Sequence, residues 1–185
     1  MDEKTRIHLN NLRSADRELQ NLAFFSILET TDKPVDWAYE VWDELVAGLS
    51  HPDNHVRAIS AQVLCNLAKS DPGQRMLKDF AALLAVTKDE RFVTARHTLQ
   101  AIWKVGAAGK AQQEMLVNGL AGRFHECAAE KNCTLIRYDI TQSLRNLYAA
   151  VGDEKIREQS LALIETETDL KYRAKYAGVW RTRSK

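Results

Sequence analysis

The feature that most constrains the fold of this chain is a helical pattern that recurs along it. One residue, usually arginine, precedes two apolar positions by seven and ten residues, so that all three lie on one face of a helix. Clear copies begin at Arg57, Phe92, Arg137 and Arg173, and a weaker copy begins at Arg17. The copies start 40, 35, 45 and 36 residues apart, a period that is typical of stacked helix pairs.

Glycines and prolines divide the sequence into helices that form these pairs. In the last copy, Trp180 takes the first apolar position and Arg183 the second. Gly152 and Asp153 predict the end of one helix and the N-cap of the next, and Pro72 predicts the start of another. No stretch alternates with period two, so we predict an all-α protein. The predicted single domain, residues 1–185, has an N-terminal helical cap over 1–30 and helix pairs over 36–69, 72–105, 109–151 and 153–182.

The segment from His51 to Leu64, HPDNHVRAISAQVL, resembles the turn and second helix of a HEAT repeat. The resemblance extends over residues 36–182 and implies a right-handed α-α superhelix of about four HEAT-like pairs, of the HEAT/armadillo type. It also implies that Asp53 and Arg57 belong to a polar ladder along the stack. An aspartate four residues before an arginine is a favourable helical pair, so we expect these two side chains to interact.

Composition limits the class of protein. The formal net charge is +1 and the longest apolar run, from Phe80 to Val86, is seven residues, too short for a membrane helix. The first residues mix charges without an apolar core, so we expect no secretion signal, no membrane association and a cytoplasmic protein. Cys65, Cys127 and Cys133 form no even framework, and we expect them to be reduced.

The best indication of function is a separation of charge between the two helices of each predicted pair. Acidic residues exceed basic ones in the first helices taken together, and basic residues exceed acidic ones in the second helices. The HEAT resemblance implies that the second helices line the concave surface, which would then be mildly basic. We therefore predict a non-catalytic interaction scaffold that binds an acidic protein partner there. The candidate binding residues are Arg57, Arg96, Arg137, Arg145, Arg173 and Lys175.

Other functions stay open at this point. The HEAT-like class includes alkylpurine DNA glycosylases and phycobilisome lyases, so a nucleic-acid-binding protein, a glycosylase-type enzyme and a bilin lyase are alternatives. A glycosylase needs an aromatic wall, a carboxylate and cations, for which Trp103, Asp139 and Arg96 or Arg137 are candidates. The basic stretch after Asp169 is either a ligand site or a solvated cap.

Catalytic and metal-binding patterns are not evident in the sequence. No phosphate loop, nucleophile elbow or zinc-protease motif is present, so no catalytic residue and no cofactor is predicted. His51 and His55 bracket Asp53 but lack a third ligand, and the spacing of Cys127 and Cys133 does not suit zinc. We expect the tryptophans at 37, 42 and 103 to pack in the core.

Overall fold

The computed structural model describes residues 1–181, and over this range the chain is all-α, with no β-strand. Short 3₁₀ turns extend three of the helices, at Ala68–Ser70, Val86–Lys88 and Cys127–Ala129. The α-helices are α1 (Glu3–Asn11), α2 (Arg17–Thr30), α3 (Ala38–Gly48), α4 (Asn54–Leu67), α5 (Arg75–Ala85), α6 (Phe92–Ala101), α7 (Trp103–Gly106), α8 (Lys110–Glu126), α9 (Cys133–Val151), α10 (Glu154–Glu165) and α11 (Leu170–Gly178). Arg183, at the second position of the last copy, and the end of the predicted pair 153–182 lie outside the described residues.

Aspartate side chains fix the start of several helices. Each carboxylate accepts hydrogen bonds from backbone amides that the first helical turn leaves unpaired. The predicted N-cap at Asp153 is confirmed, Asp53 caps α4 in the same way, and Gly152 ends α9 in the left-handed conformation, with φ of 69°. The capping aspartates are Asp2, Asp16, Asp53, Asp153 and Asp169.

The predicted helix start at Pro72 is wrong, because α5 begins three residues later, at Arg75. Gln74 has a left-handed backbone with φ of 54°, which interrupts any helical path from Pro72. The Asp71 carboxylate reaches past this turn and accepts hydrogen bonds from the amides of Arg75 and Met76, at 2.9 and 2.8 Å. The Tyr39 hydroxyl donates to the same carboxylate at 2.5 Å, so the turn is anchored to α3.

Contacts connect the helices in two rows. In the first row α3 contacts α5, α5 contacts α8, and α8 contacts α10. In the second row α2 contacts α4, α4 contacts α6, α6 contacts α9, and α9 contacts α11. The rows also contact one another, for example through α3 with α4 and through α9 with α10. Helices that are one predicted pair apart in sequence are therefore neighbours in space.

The recurring apolar positions form the core of the second row. The pairs that follow Arg57, Phe92 and Arg137 by seven and ten residues are all buried, which confirms the predicted burial. They are Leu64, Leu67, Leu99, Ile102, Leu144 and Leu147. Trp37 and Trp42 are buried as predicted, whereas Trp103 and Trp180 are half-buried at the edge of the core.

Candidate binding surface

The six predicted cations lie on the second row of helices, and four of them are engaged by the fold itself. Arg57 on α4 donates to both oxygens of Asp89, at 2.6 and 2.9 Å, and also to the carbonyls of His51 and Pro52. Arg96 on α6 donates to Asp139 on α9 at 2.7 and 3.2 Å. Arg57 therefore binds the turn that precedes α6, and Arg96 connects α6 with α9.

Arg137 and Arg173 are held in the same way further along the chain. Arg137 donates to the Glu167 carboxylate at 2.7 Å and to the Phe124 carbonyl at 3.0 Å. Its guanidinium carbon lies 4.7 Å from the centre of the Phe124 ring. Arg173 donates to the Glu167 carbonyl at 3.0 Å and to the Glu165 carboxylate at 3.2 Å. These side chains have partners that an incoming ligand would have to displace.

A polar ladder runs between successive second-row helices. Arg17 donates to Asp53 at 2.7 Å, and Arg57 donates to Asp89. Asp53 and Arg57 therefore each bind a neighbouring segment and do not form the predicted pair with one another. Burial raises the pKa of the Asp89 carboxyl, but hydrogen bonds from Arg57 and from the Arg91 amide outweigh it, and the net pKa lies below its ordinary value. The pKa values of Asp53 and Glu167 are lowered by the same balance. The ladder carboxylates are therefore stabilised in their charged form.

The two remaining candidates, Arg145 and Lys175, have no carboxylate within salt-bridge distance among residues 1–181. Both lie over aromatic rings instead. The guanidinium carbon of Arg145 is 5.3 Å from the ring centre of Tyr148 and 5.6 Å from that of Trp180. The Lys175 ammonium is 5.0 Å from the ring centre of Tyr138. Aromatic faces orient a cation without neutralising its charge.

These cations share one surface of α9 and α11, which we call the cation face. On α9, Tyr138, Gln142 and Arg145 follow one another at helical spacing, so they lie along one side of the helix. Lys175 on α11 packs beside Tyr138 and is exposed. The cation face thus presents a guanidinium and an ammonium, groups that bind carboxylates or phosphates through charge-assisted hydrogen bonds. The amide nitrogen of Gln142 donates to Asn146 at 3.0 Å. We define the face by Tyr138, Gln142, Arg145, Lys175 and Trp180.

Two of the residues considered for glycosylase chemistry, Arg96 and Asp139, bind one another. Asp139 is almost fully buried and is bound by Arg96, so its carboxylate is already occupied. Trp103 has the Lys104 ammonium 6.0 Å from its ring centre. Within the described part of the chain, no three histidine, cysteine or acidic side chains come together as metal ligands would. His51 accepts a hydrogen bond from the Asp53 amide at 3.0 Å, as part of the turn.

Two apolar side chains on α2 are strongly exposed, which the sequence pattern did not predict. Leu22 is 61% and Phe25 is 67% exposed, and they lie one turn apart. Phe25 contacts the half-buried Phe24, with 5.4 Å between ring centres. The only signal in the sequence was two adjacent phenylalanines, of which the repeat pattern assigns one to the core.

Comparisons with known proteins add no family to this description. No model of a known protein family matches the chain, and no curated protein matches its sequence. Each helix within residues 1–181 is too short or too polar to span a lipid bilayer.

Proposed function

We propose that the two rows of helices belong to a right-handed, HEAT-like α-α superhelix of about four helix pairs. Three observations support this: the repeated sequence period, the contacts between corresponding helices of neighbouring pairs, and the arginine ladder that links neighbouring pairs. In this arrangement α4, α6, α9 and α11 line the concave side, and the cation face lies there.

On this scaffold we propose a non-catalytic interaction protein whose cation face binds an acidic segment of a protein partner. The observation that carries the proposal is that Arg145 and Lys175, unlike the other four candidates, are free of carboxylate partners among the described residues. An acidic segment supplies the carboxylates that both side chains lack. Gln142, on the same side of α9, donates its amide nitrogen to Asn146 at 3.0 Å, and its carbonyl oxygen can accept from the partner's backbone.

Charge and aromatic packing favour an acidic protein over nucleic acid as the ligand. The whole chain has a formal charge of only +1, whereas nucleic-acid binding depends mainly on a large basic excess. Tyr148 and Trp180 pack edge to face, with 5.6 Å between ring centres, and Arg145 lies against both. Their rings are therefore occupied by one another and by a cation, rather than open for stacking with bases.

We propose the cytoplasm as the compartment in which this binding takes place. The three cysteines are free thiols, and free thiols persist most readily in a reducing environment.

Fluorescence anisotropy tests the proposed ligand class directly. The wild-type chain is titrated into a labelled oligoglutamate peptide and, separately, into a labelled oligothymidylate of equal charge. We expect the peptide to bind more tightly. The Arg145→Glu/Lys175→Glu variant should weaken peptide binding by about tenfold or more, because two attractive contacts become repulsive.

The matched control is Lys155→Glu/Arg157→Glu, which makes the same change in charge on exposed residues of α10. This variant should bind the peptide nearly as well as the wild type does. Equal losses in both variants would show that only net charge matters, which contradicts a specific cation face. Tighter binding of the oligothymidylate, with a steep loss of affinity as salt rises, would favour the nucleic-acid alternative.

A further inference from the structure

Two of the three cysteines lie side by side at the junction of α8 and α9. The Sγ atoms of Cys127 and Cys133 are 3.5 Å apart. Cys127 begins the 3₁₀ turn that ends α8, and Cys133 is the first residue of α9. Backbone hydrogen bonds fix the turn between them, from the Glu130 amide to the Cys127 carbonyl at 2.8 Å and from the Cys133 amide to the Glu130 carbonyl at 3.0 Å. The two thiols are therefore brought together by the fold.

The environments of the two thiols differ. Cys127 is fully buried, and burial, followed by its hydrogen bond with Cys133, raises the pKa of its thiol to about 12. Cys133 is partly exposed. Cys133 is also the first residue of α9, so it lies at the end of the turn and not in the interior of the helix. Cys133 is therefore the thiol that an external reagent reaches first.

We propose that Cys127 and Cys133 form a reversible disulfide by exchange with a low-molecular-weight disulfide of the glutathione class. The Cys133 thiolate attacks one sulfur of the oxidant, which breaks the oxidant's S–S bond and releases one thiol. Cys127 gives up its proton to solvent and attacks Cys133 Sγ, and the second thiol leaves. In total the protein loses two electrons and two protons, and one small disulfide becomes two thiols.

The link would join the end of α8 to the start of α9, across a turn of five intervening residues. Neither the proposed superhelix nor the cation face is needed for this reaction, so the inference is independent of the proposed function. Cys65 is the natural internal control. It is fully buried on α4, and burial raises the pKa of its thiol to about 12, so we expect it to stay reduced.

Peptide mapping tests the proposal on the full chain. The protein is equilibrated in buffers with increasing ratios of oxidised to reduced glutathione, free thiols are alkylated, and the protein is cleaved with trypsin. Trypsin places Cys127 in the peptide 124–131 and Cys133 in the peptide 132–137, so a disulfide joins two peptides that otherwise separate. We expect the amount of this linked pair to increase with the ratio, and the mass of the intact protein, measured before alkylation, to fall by about 2 Da.

Two variants serve as controls for the disulfide assignment. Cys65→Ala should form the linked pair as the wild type does, and Cys133→Ser should abolish it. Separate, fully alkylated peptides from the folded wild-type chain at the most oxidising ratio would overturn the proposal. So would a lasting glutathione adduct on Cys133 without the link, because Cys127 would then be unable to reach it. Both of these outcomes are read from the wild type, so the test holds even if Cys133→Ser fails to fold.

Discussion

Replacing Arg137 with methionine should separate the cations that hold the fold from those that are free to bind. The Arg137 and Glu167 side chains are 14% and 7% exposed, and they meet at 2.7 Å. Methionine fills much of the same volume but leaves the Glu167 carboxylate buried without its cation. The Phe124 carbonyl also loses a hydrogen bond of 3.0 Å.

Removing one partner of a buried ion pair costs about 3–5 kcal/mol, because the remaining charge is desolvated without compensation. Glu167 keeps one hydrogen bond, from the Asp169 amide at 3.1 Å, which places this variant near the lower end of that range. We therefore expect Arg137→Met to lower the free energy of unfolding by about 3 kcal/mol. For a chain of 185 residues this corresponds to a melting temperature about 6–12 °C lower.

The assay is urea unfolding followed by far-UV circular dichroism, with Arg145→Met as the matched control. Within residues 1–181 the Arg145 guanidinium lies over two aromatic rings and has no ion pair, so its replacement should cost less than about 1 kcal/mol. A double-mutant cycle that adds Glu167→Gln should give a coupling energy above about 1 kcal/mol. A free energy of unfolding for Arg137→Met within about 0.5 kcal/mol of the wild-type value would contradict a stabilising role for this ion pair. A cycle without coupling would contradict it as well.

Three further predictions concern packing and charge. An added Cβ at Gly48 would lie 3.0 Å from the Ser60 Cβ, whereas one at Gly122 meets nothing within 4 Å. In the urea assay Gly48→Ala should therefore lower the free energy of unfolding by about 1–3 kcal/mol, and Gly122→Ala should raise it by about 0.5–1 kcal/mol. A Gly48→Ala variant more stable than Gly122→Ala would contradict the close contact between α3 and α4. The buried Ser143 hydroxyl has no hydrogen-bond partner among residues 1–181, so Ser143→Ala should stabilise by about 1 kcal/mol, and a loss of stability would reveal a hidden partner. Hydrogen bonds, first that from Lys110, lower the pKa of Asp153 to about 2 from 3.8, so the stability it adds is present above pH 3.8 and is lost as the pH falls toward 2. Asp153→Asn keeps a capping side chain and should flatten this part of the pH profile of unfolding; an unchanged profile would contradict the assignment.

The sequence predicted the all-α class and much of the helix pattern because local signals agree with burial. The apolar residues of the repeat are buried, as Leu64 and Leu144 illustrate. Aspartates such as Asp53 cap helices through atoms only a few residues away. These signals lie within one helix, so they can be recognised without knowing which helices pack together.

The predicted start of α5 failed for a reason that lies outside its own segment. Aspartate followed by proline is a common helix start, but here Tyr39 on α3 donates to Asp71 and accepts from the Gly73 amide at 2.6 Å. The turn is shaped by these contacts with another helix. Gln74 is held in a left-handed conformation that its own sequence does not favour.

The candidate binding residues were predicted as one group because their partners lie far away in sequence. Arg57 pairs with a carboxylate 32 residues later, and Arg96 with one 43 residues later. Charge summed over a helix does not distinguish such a cation from a free one. Only the register of neighbouring helices decides which arginines are neutralised.

The arginine ladder uses one position of the repeat copies, and the second-row cations that are unpaired within the described part of the chain lie at other positions. Arg17, Arg57 and Arg137 each stand at the first position of a repeat copy, and each reaches a carboxylate near the start of the next second-row helix. These three arginines therefore form ion pairs that join neighbouring segments of the second row. Arg145, two turns after Arg137, and Lys175, two residues after Arg173, lie off this register and have no carboxylate partner among residues 1–181. Arg96 also lies off it but binds Asp139. Substitutions at Arg145 and Lys175 should therefore test the proposed binding, and substitutions at first positions such as Arg137 should change stability.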